Sequence, residues 1–293
     1  MIDHTTVLLK YKQPFGWDDL LRFFRKRQIA NVEYVDDNAY RRGVRFFDSE
    51  GRLCSGVYEV SHLARKRALQ LTYSRSLNAL EPDLIALVSR QFDLALDPAE
   101  VSNVLTSLNE VSPNLYLPGS RFPGAIDPFE MCLRAILGQQ ITVQAARTLL
   151  GRIVAQFGDA VDMSDPHVTR LFPEPEAFMR DDAEEVLGRS GVIKQRAEAI
   201  IRVAQLFLED NQFLDPTMDV KEAESRLLSV HGIGPWTTAY VIMRTLGAKD
   251  IFLATDAGIK QALTRLSIQN PEAFAKRFSP WRSYLTLSLW NSL

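Results

Sequence analysis

The chain has 293 residues, a formal net charge of −2, 46% hydrophobic and 24% charged residues. This composition is typical of a globular protein, and the length favours two domains. No apolar run approaches the roughly 18 residues that a membrane-spanning helix needs, and charges among the first residues argue against a signal peptide. The two cysteines, Cys54 and Cys132, are too few for a disulfide framework or for a zinc or iron–sulfur site of their own. We therefore expect a cytoplasmic protein without a membrane partner.

The first hundred residues mix helical and strand patterns. WDDLLRFFRKR carries apolar residues at helical spacing, whereas NVEYVDDNAYRRGVRFFDSEGRLCSGVYEV and ALQLTYS alternate as strands do. Asp48-Ser49-Glu50-Gly51 separates two alternating runs and predicts a hairpin turn. We predict an α+β domain with an antiparallel sheet over residues 1–115.

A change in composition marks the next domain. NEVSPNLYLPGSRFPGAIDP is rich in Pro, Gly and Ser and predicts a domain crossing. Beyond Asp127 the pattern is helical almost throughout, beginning with PFEMCLRAILGQQITVQAARTLLGRIVAQFG, a helix pair or one long helix broken near Gly138. The predicted fold class is mostly α, with an all-helical domain over residues 116–293 after the small α+β domain.

The charge is unevenly distributed along the chain. From Leu227 to the C-terminus, seven Lys or Arg stand against three acids, so this part carries +4 and the remainder −6. A local basic face on a near-neutral protein suits a short phosphate footprint, and the alternative is a solvated helical surface. Arg244, Lys249 and Arg282 are candidates for either role, and Arg282 also for an ion pair with an acid.

The stretch SRLLSVHGIGPWTTAYVIMR predicts two helices joined by a tight turn. Glycine tolerates positive φ and close backbone approach, and Pro235 suits the first turn of a helix. The N–H groups of Gly232 and Gly234 at the start of the second helix form a site for a phosphate, which the helix dipole favours. The alternative is a helical hairpin whose glycines serve packing alone.

Two further features follow the turn. Trp236 and Tyr240 are four residues apart and share a helix face, either as core residues or as the aromatic walls that an extruded base needs. Asp256 follows the apolar FLAT and precedes AGIKQALTRL, where an N-cap is the common role of Asp. The same carboxylate beside a desolvated pocket would face a developing positive charge, and the two roles are compatible.

These segments together resemble the helix–hairpin–helix DNA glycosylase superfamily. HGIGPWTTAYVIMR, followed by DIFLATDAGIKQ, is similar to its hairpin, here about residues 221–246, and to its catalytic-aspartate segment. RFPGAIDPFEMCLRAILGQQITVQAA, VIKQRAEAI and SPWRSYLTLSLW resemble the 3-methyladenine DNA glycosylase II (AlkA) branch, as does the N-terminal pattern from PFGWDDLLRFF onward. The resemblance covers nearly the whole chain and implies an all-helical helix–hairpin–helix glycosylase core.

The resemblance implies a role in base excision repair. The enzyme would act as a monomer on double-stranded DNA, flip a damaged nucleotide and hydrolyse its N-glycosidic bond, near the nucleoid in a bacterium. The implied substrates are alkylated bases such as 3-methyladenine and 7-methylguanine, which are cationic and leave without protonation. This chemistry needs aromatic faces for the base and an anion near the sugar, and no cofactor.

The family motif also implies roles for individual residues. Asp256 matches the catalytic carboxylate that stabilises an oxocarbenium-like sugar or positions water. The implied base pocket consists of Trp236, Tyr240 and Trp290, together with Trp281 and Phe23. Implied DNA contacts are Gly232, Ile233, Gly234, Thr237, Gln139, Gln140 and Ile141. The backbone carbonyls of Leu228, Val230 and Gly232 are implied to bind a structural Na+ or K+.

Several positions depart from the family pattern, and they narrow the activity and the pocket that the resemblance implies. Bifunctional relatives carry a Schiff-base lysine where this chain has Trp236, which implies a monofunctional enzyme without strand cleavage. Only Cys132 lies in the C-terminal domain, so the four-cysteine iron–sulfur cluster of endonuclease III-like relatives is not expected. At the position of the branch's apolar wedge, Gln140 is followed by Ile141, and either would fill the gap left by a flipped base. Ala257 stands where the branch can have a tyrosine, which predicts a more open pocket.

Two alternatives remain open on the sequence. One is a glycosylase for a different lesion, a deaminated or oxidised base. The other is a non-catalytic helix–hairpin–helix protein that binds distorted DNA. Such a binder would not require Asp256, because a negative charge near DNA opposes phosphate contact.

Overall fold

The structure is a computed structural model that describes residues 4–48 and 50–293, without the side chains of residues 162–164. Antiparallel strands form the N-terminal sheet: β1 His4–Lys10, β2 Glu33–Val35, β3 Ala39–Phe47, β4 Leu53–Leu63 and β5 Ala68–Ser74. Their spatial order is β1-β5-β4-β3-β2. The register pairs Phe47 with Leu53, so β3 and β4 form a hairpin. The predicted turn Asp48-Ser49-Glu50-Gly51 includes Ser49, which lies outside the described residues.

Helices α1, Trp17–Arg27, and α2, Glu81–Gln91, complete the N-terminal core. The helical spacing of WDDLLRFFRKR buries Leu20, Leu21, Phe23 and Phe24, as the sequence predicts. Acidic residues in the first turn of α1 and basic residues in its last turn complement the helix dipole. The end of α1 contacts the helical part of the chain, where Arg134 donates to Arg27 O at 2.7 Å and the Arg244 guanidinium lies over the Phe23 ring.

The remainder of the chain is predominantly helical, which confirms the predicted fold class. The predicted break near Gly138 separates two helices, and several helices begin at an Asp or Asn whose side chain accepts a backbone N–H. The helices are α3 Pro98–Leu105, α4 Leu108–Val111, α5 Pro128–Gly138, α6 Val143–Phe157, α7 Ala183–Arg189, α8 Lys194–Glu209, α9 Val220–Ser229, α10 Pro235–Thr245, α11 Ala257–Arg265, α12 Pro271–Lys276 and α13 Arg282–Asn291. Short 3-10 segments are Ala64–Lys66, Arg75–Leu80 and Pro175–Phe178.

Two apolar cores organise these elements. The first joins the sheet, α1 and α2 to buried side chains of α11, α12 and α13, so the end of the chain packs against its beginning. The second is formed by side chains of α5 to α10. Tyr240 and Ile251 pack against both cores. A site beside Tyr240 therefore lies at the junction of two cores, where ligand clefts often form. The boundary at residues 115 and 116 stays a prediction.

A small hairpin interrupts the helical part, where the sequence analysis expected helices alone. It consists of β6, Ala160–Asp165, and β7, Val168–Arg170. The Asp165 carboxylate accepts the His167 N–H at 2.8 Å, a side-chain turn that reverses the chain. Val168 is fully buried, and a Cβ at Gly43 of β3 would lie 2.9 Å from its side chain. The hairpin is thus stabilised by packing of Val168 on the N-terminal sheet. The periodicity of apolar residues along the local sequence does not predict such a tertiary contact.

Within the described ranges, no helix is both long enough and apolar enough to span a membrane.

Candidate active site

Asp256 lies at the start of α11, where it combines two roles. Its Oδ1 accepts the N–H of Ile259 at 3.0 Å, which is the N-cap bond expected from the sequence. Two indoles also donate to the same carboxylate: Trp236 Nε1 to Oδ2 at 3.1 Å and Trp290 Nε1 to Oδ1 at 3.0 Å. A carboxylate has about four acceptor positions, so these three donors fix its orientation and leave acceptor capacity for a further group.

The aromatic residues around Asp256 come from α10 and α13. Trp236 and Tyr240, one turn apart on α10, stack with ring centroids 5.4 Å apart and an interplanar angle of 6°. The Trp290 ring stands edge-on to Tyr240 at 6.0 Å. All three side chains are half-buried, as is Asp256. A surface group of three aromatic rings around an oriented carboxylate, here called the aromatic pocket, thus brings together residues that are up to 54 positions apart.

The structure assigns different surroundings to Phe23 and Trp281. Phe23 of α1 is buried under the guanidinium groups of Arg27, at 3.7 Å from the ring centroid, and Arg244, at 5.0 Å. Arg244 Nη1 also donates to the Tyr240 hydroxyl at 2.9 Å, so Phe23 adjoins the aromatic pocket through this arginine. Trp281 is buried too, and it packs edge-on against Tyr284 at 5.5 Å. Among the described residues, it makes no ring contact with the aromatic pocket.

The hairpin between α9 and α10 has the backbone geometry that the glycines predicted. Gly232 has φ 94°, and a Cβ there would lie 3.0 Å from the Cβ of Ala199. Gly234 precedes α10, and within the described residues this helix begins without a side-chain cap bond. Ile233 between the two glycines is buried and anchors the turn, with its N–H donating to Val230 O at 3.0 Å.

The loop after α5 braces this hairpin. The Gln139 amide donates to Gly232 O at 3.1 Å and to the hydroxyl of buried Thr237 at 2.9 Å, and Arg196 donates to Gln139 O. Gln140 is exposed and has φ 54°, a left-handed conformation that is unusual for a residue other than glycine. Ile141 beside it is half-buried. Gln139 and Gln140 therefore differ in environment, the first turned to the hairpin and the second to solvent.

The carbonyl groups predicted to bind a monovalent cation lie where α9 ends. Val230 O accepts from Ile233 N and Gly232 O from Gln139, and each oxygen keeps a second lone pair. The negative end of the α9 dipole favours a cation at this place. Oxygen donors of this kind fit a hard cation, so the residues are compatible with the ion, whose binding stays a prediction. No cluster of three His, Cys, Asp or Glu that could hold a metal occurs in the described part of the chain.

One basic residue was misread from the sequence. Arg244, a candidate for phosphate contact or a solvated face, is 5% exposed and donates through Nε to Pro123 O at 2.6 Å. Both predictions for Arg244 are therefore wrong, because its guanidinium group is buried and donates its hydrogen bonds within the protein. Arg282 forms the predicted ion pair, with Nε 2.7 Å from Asp250 Oδ1. Sequence reasoning also missed Arg27, although both arginines follow an aromatic residue by four positions, the spacing at which helical side chains meet.

Comparison with known proteins identifies the family of this chain. Residues 6–127 match the family described as the AlkA N-terminal domain, and residues 133–282 match the family described as HhH-GPD superfamily base excision DNA repair protein. The DNA-3-methyladenine glycosylase 2 of Escherichia coli (strain K12) is 33% identical over 96% of this chain and 95% of its own length. The probable bifunctional transcriptional activator/DNA repair enzyme AlkA of Mycobacterium tuberculosis (strain CDC 1551 / Oshkosh) is 30% identical over 98% of this chain and 57% of its own length.

The fold has a solved counterpart. The 3-methyladenine DNA glycosylase from Archaeoglobus fulgidus superposes with a TM-score of 0.79 over 98% of this chain and 97% of that chain, at 24% identity. The two family matches together cover both domains, and the E. coli relative aligns along almost the entire chain. The chain belongs to the HhH-GPD superfamily of base excision DNA repair proteins and carries the AlkA N-terminal domain in front of it.

Proposed function

We propose that this protein is a monofunctional DNA glycosylase that excises alkylated bases of the 3-methyladenine and 7-methylguanine type from double-stranded DNA. The single observation that carries the proposal is the Asp256 carboxylate, held by two indole N–H groups beside a stacked aromatic pair. A relative named DNA-3-methyladenine glycosylase 2, 33% identical over nearly the whole chain, supports the substrate class.

The chemistry follows from the charges. An alkyl group at N3 or N7 makes the base cationic, so the base takes the electron pair of the breaking C1′–N bond and leaves as a neutral molecule. The sugar becomes positively charged at C1′ as this bond breaks, and Asp256 is the anion that faces it. Water then forms the new C1′–O bond and releases a proton. Only water is consumed, so the reaction needs no cofactor.

The spacing of the aromatic rings restricts how a base binds. A base inserted between two rings needs about 3.5 Å on each side, a centroid separation of about 7 Å. Trp236 and Tyr240 are only 5.4 Å apart. We therefore propose that the flipped base stacks on this pair from one side, where the Trp290 edge and Asp256 adjoin it, as aromatic stacking of an extruded base requires.

The hairpin supplies the grip on DNA in this proposal. The backbone N–H groups at Gly232 and Gly234 bind a phosphate of the damaged strand, helped by the positive end of α10. Ile233 between them, predicted as a DNA contact, holds the shape of the turn instead, because its N–H donates to Val230 O. A monovalent cation at the carbonyls of Leu228, Val230 and Gly232 would add positive charge to the same turn. Gln140, exposed and already held in a left-handed conformation, fills the gap left by the flipped base.

The proposed enzyme leaves the DNA strand unbroken. Strand cleavage by a glycosylase uses an amine that forms a Schiff base with the sugar. At the lysine position of bifunctional relatives the chain has Trp236, whose indole N–H is engaged with Asp256. We propose that the product is an abasic site in an unbroken strand.

One chain supplies every residue of the proposed site, so we propose that the enzyme acts as a monomer.

Base release tests the proposal. Duplex DNA treated with a methylating agent is incubated with excess enzyme, free bases are separated by chromatography, and the strands are examined on a denaturing gel with and without borohydride. We expect 3-methyladenine and 7-methylguanine to be released, an alkali-sensitive but unbroken strand and no borohydride-trapped complex. Release only from duplexes with hypoxanthine or 8-oxoguanine would favour the different-lesion alternative. Tight binding of the methylated duplex without release would favour the non-catalytic alternative.

A further inference from the structure

Two guanidinium groups lie behind the aromatic pocket, a surprising position for positive charge in a site proposed to take cationic bases. Arg27 and Arg244 both lie over the ring of Phe23, and Arg244 donates to the Tyr240 hydroxyl at 2.9 Å. Arg27 interacts electrostatically with the same hydroxyl, and this interaction raises the pKa of the guanidinium against the effect of burial. The phenol oxygen of Tyr240 therefore accepts a hydrogen bond from one cation and interacts with a second.

The charges of neighbouring elements do not neutralise this pair. Glu33 of β2 and Glu130 of α5 are buried, and they form ion pairs with Arg42 of β3 and Arg134 of α5. Over residues 4–48 and 50–293, Arg27 and Arg244 form no ion pair with a carboxylate. Their other polar contacts are carbonyl oxygens of Phe23 and Pro123. Arg244 is buried and Arg27 half-buried, and a buried cation without a paired anion is costly. The Tyr240 hydroxyl, 2.9 Å from Arg244 Nη1, is the group in contact with this guanidinium that is able to supply negative charge.

We infer that Arg27 and Arg244 give the phenol oxygen of Tyr240 anionic character, so that its ring becomes the electron-rich face that selects positively charged bases. The inference rests on the proposed function. It reduces the conflict of charges, because two guanidinium groups with one phenolate carry +1 in place of +2, while the aromatic face of the phenolate attracts a cation more strongly. Arg27 and Arg244 are positioning residues here, since they act on the base through Tyr240.

The pKa shifts of Tyr240 and Arg27 agree in direction with this inference. Burial alone would raise the pKa of Tyr240, but Arg244, Arg27 and Arg134 together lower it below its ordinary value. Burial lowers the pKa of Arg27 to about 10, against the opposing influence of Tyr240, so its charge persists at neutral pH. Arg244 also faces Arg134 and Glu33. Because the pKa of Tyr240 is lowered, its anionic form is populated above that lowered pKa, at pH values where an ordinary tyrosine is still protonated.

The first arm of the test needs no DNA. Tyrosinate absorbance is titrated in wild type, Tyr240→Phe and Arg244→Met, with Tyr73→Phe as the matched control. The pKa of Tyr73 is raised to about 12 by burial and by its bond to Glu81, so its removal should alter only the high-pH end. We expect wild type to show a transition below about pH 10 that Tyr240→Phe lacks and Arg244→Met shifts upward. Wild type and Tyr240→Phe that differ only above about pH 10 would overturn the inference.

The second arm measures selection by charge. Single-turnover release of cationic 3-methyladenine is compared with release of the neutral purine hypoxanthine, from about pH 6 up to the ordinary tyrosine pKa of about 10. We expect the ratio of the two rates to rise with pH in wild type, and to fall about tenfold and lose its pH dependence in Tyr240→Phe. Arg27→Met, at a half-buried position, should lower the ratio in the same direction if Arg244→Met fails to fold.

The outcomes separate this inference from the proposed function. An unchanged ratio in Tyr240→Phe, with both bases still released, overturns the inference and leaves the glycosylase intact. Wild type that releases neither base overturns the proposed function, and base selection with it, even where the absorbance transition is found.

Discussion

The hairpin and the aromatic pocket are adjacent along the chain, but they present different chemical groups. The hairpin offers backbone N–H groups and carbonyls around Gly232 and Gly234, held by buried Ile233 and by the Gln139 amide. The pocket offers side chains from α10, α11 and α13 that converge on Asp256. α10 belongs to both, because its N-terminus closes the hairpin and its first two turns carry Trp236 and Tyr240.

Binding and chemistry are thus assigned to different groups within one short segment. A phosphate is the same at every nucleotide, so backbone groups suffice to hold it. A flipped base and a developing charge at C1′ need particular side chains at particular distances. Substitutions in the pocket should therefore alter the rate of base release, and substitutions in the hairpin should alter affinity for DNA.

We expect the largest loss in the rate of base release when the Asp256 carboxylate is removed. Asp256→Asn keeps the shape and the ability to cap α11, and removes the negative charge. We expect the single-turnover rate to fall by about 10²- to 10³-fold, because one preorganised electrostatic group contributes about this much. The melting temperature and the affinity for a methylated duplex should change little. A rate within a factor of about two of wild type would reduce Asp256 to a helix cap.

Removal of one indole N–H should have the next largest effect. Trp290→Phe keeps an aromatic ring beside Tyr240 and removes the donor to Asp256 Oδ1. A hydrogen bond to a charged group contributes about 1.5–3 kcal/mol, so a misoriented carboxylate should slow release by about 10- to 100-fold. Trp281→Phe gives the comparison, because the Trp281 ring packs on Tyr284 away from the carboxylate. Equal losses at the two tryptophans would show that aromatic bulk matters and the N–H does not.

The two hairpin glycines should respond differently. Apart from the neighbouring residues of the chain, no atom of the described residues lies within 4 Å of a Cβ built on Gly234. Gly234→Ala should therefore fold normally and weaken DNA binding by about tenfold, or about 1.4 kcal/mol, through contact with the phosphate. Gly232→Ala places a side chain at φ 94°, near Ala199, and should lower the free energy of unfolding by about 1–2 kcal/mol. Denaturant unfolding and equilibrium DNA binding measure the two quantities. Unaltered binding by Gly234→Ala would remove the hairpin from the phosphate contact.

The smallest effect concerns the residue that fills the gap. Gln140→Ala removes an exposed side chain, so stability should be unchanged and the flipped state weakened by about tenfold or less. The fluorescence of 2-aminopurine next to the lesion reports flipping, and Ile141→Ala is the matched substitution at the neighbouring position. A larger loss in Ile141→Ala than in Gln140→Ala would assign the gap-filling role to the isoleucine.

The sequence predicted features that depend on local rules. The helix N-cap at Asp256, the positive φ at Gly232 and the break near Gly138 each follow from one residue type at one place. The family resemblance then predicted that Asp256, Trp236 and Trp290 belong together, which periodicity alone could not. The hairpin β6–β7 escaped prediction because it depends on Val168 docking at Gly43, a contact across 125 residues.

The surroundings of the aromatic pocket escaped prediction for a related reason. Arg244 resembles any basic residue on an amphipathic helix, and its burial depends on Phe23 of another domain and on the carbonyl of Pro123. Arg27 ends a helix whose last turn is basic in any case. In the sequence, these arginines have the pattern of surface residues. Their positions beside Tyr240 depend on contacts between the two domains.

One measurement tests the separation of chemistry from binding most directly. Asp256→Asn and Gly234→Ala are compared with wild type over a range of enzyme concentrations, with single-turnover release of 3-methyladenine from a methylated duplex as the readout. The predicted result is a crossed pattern. Asp256→Asn should lose the maximal rate and keep the half-saturating concentration, whereas Gly234→Ala should keep the maximal rate and require more enzyme. If both variants lose the maximal rate to the same extent, or if Asp256→Asn loses only affinity, the division between pocket and hairpin is contradicted.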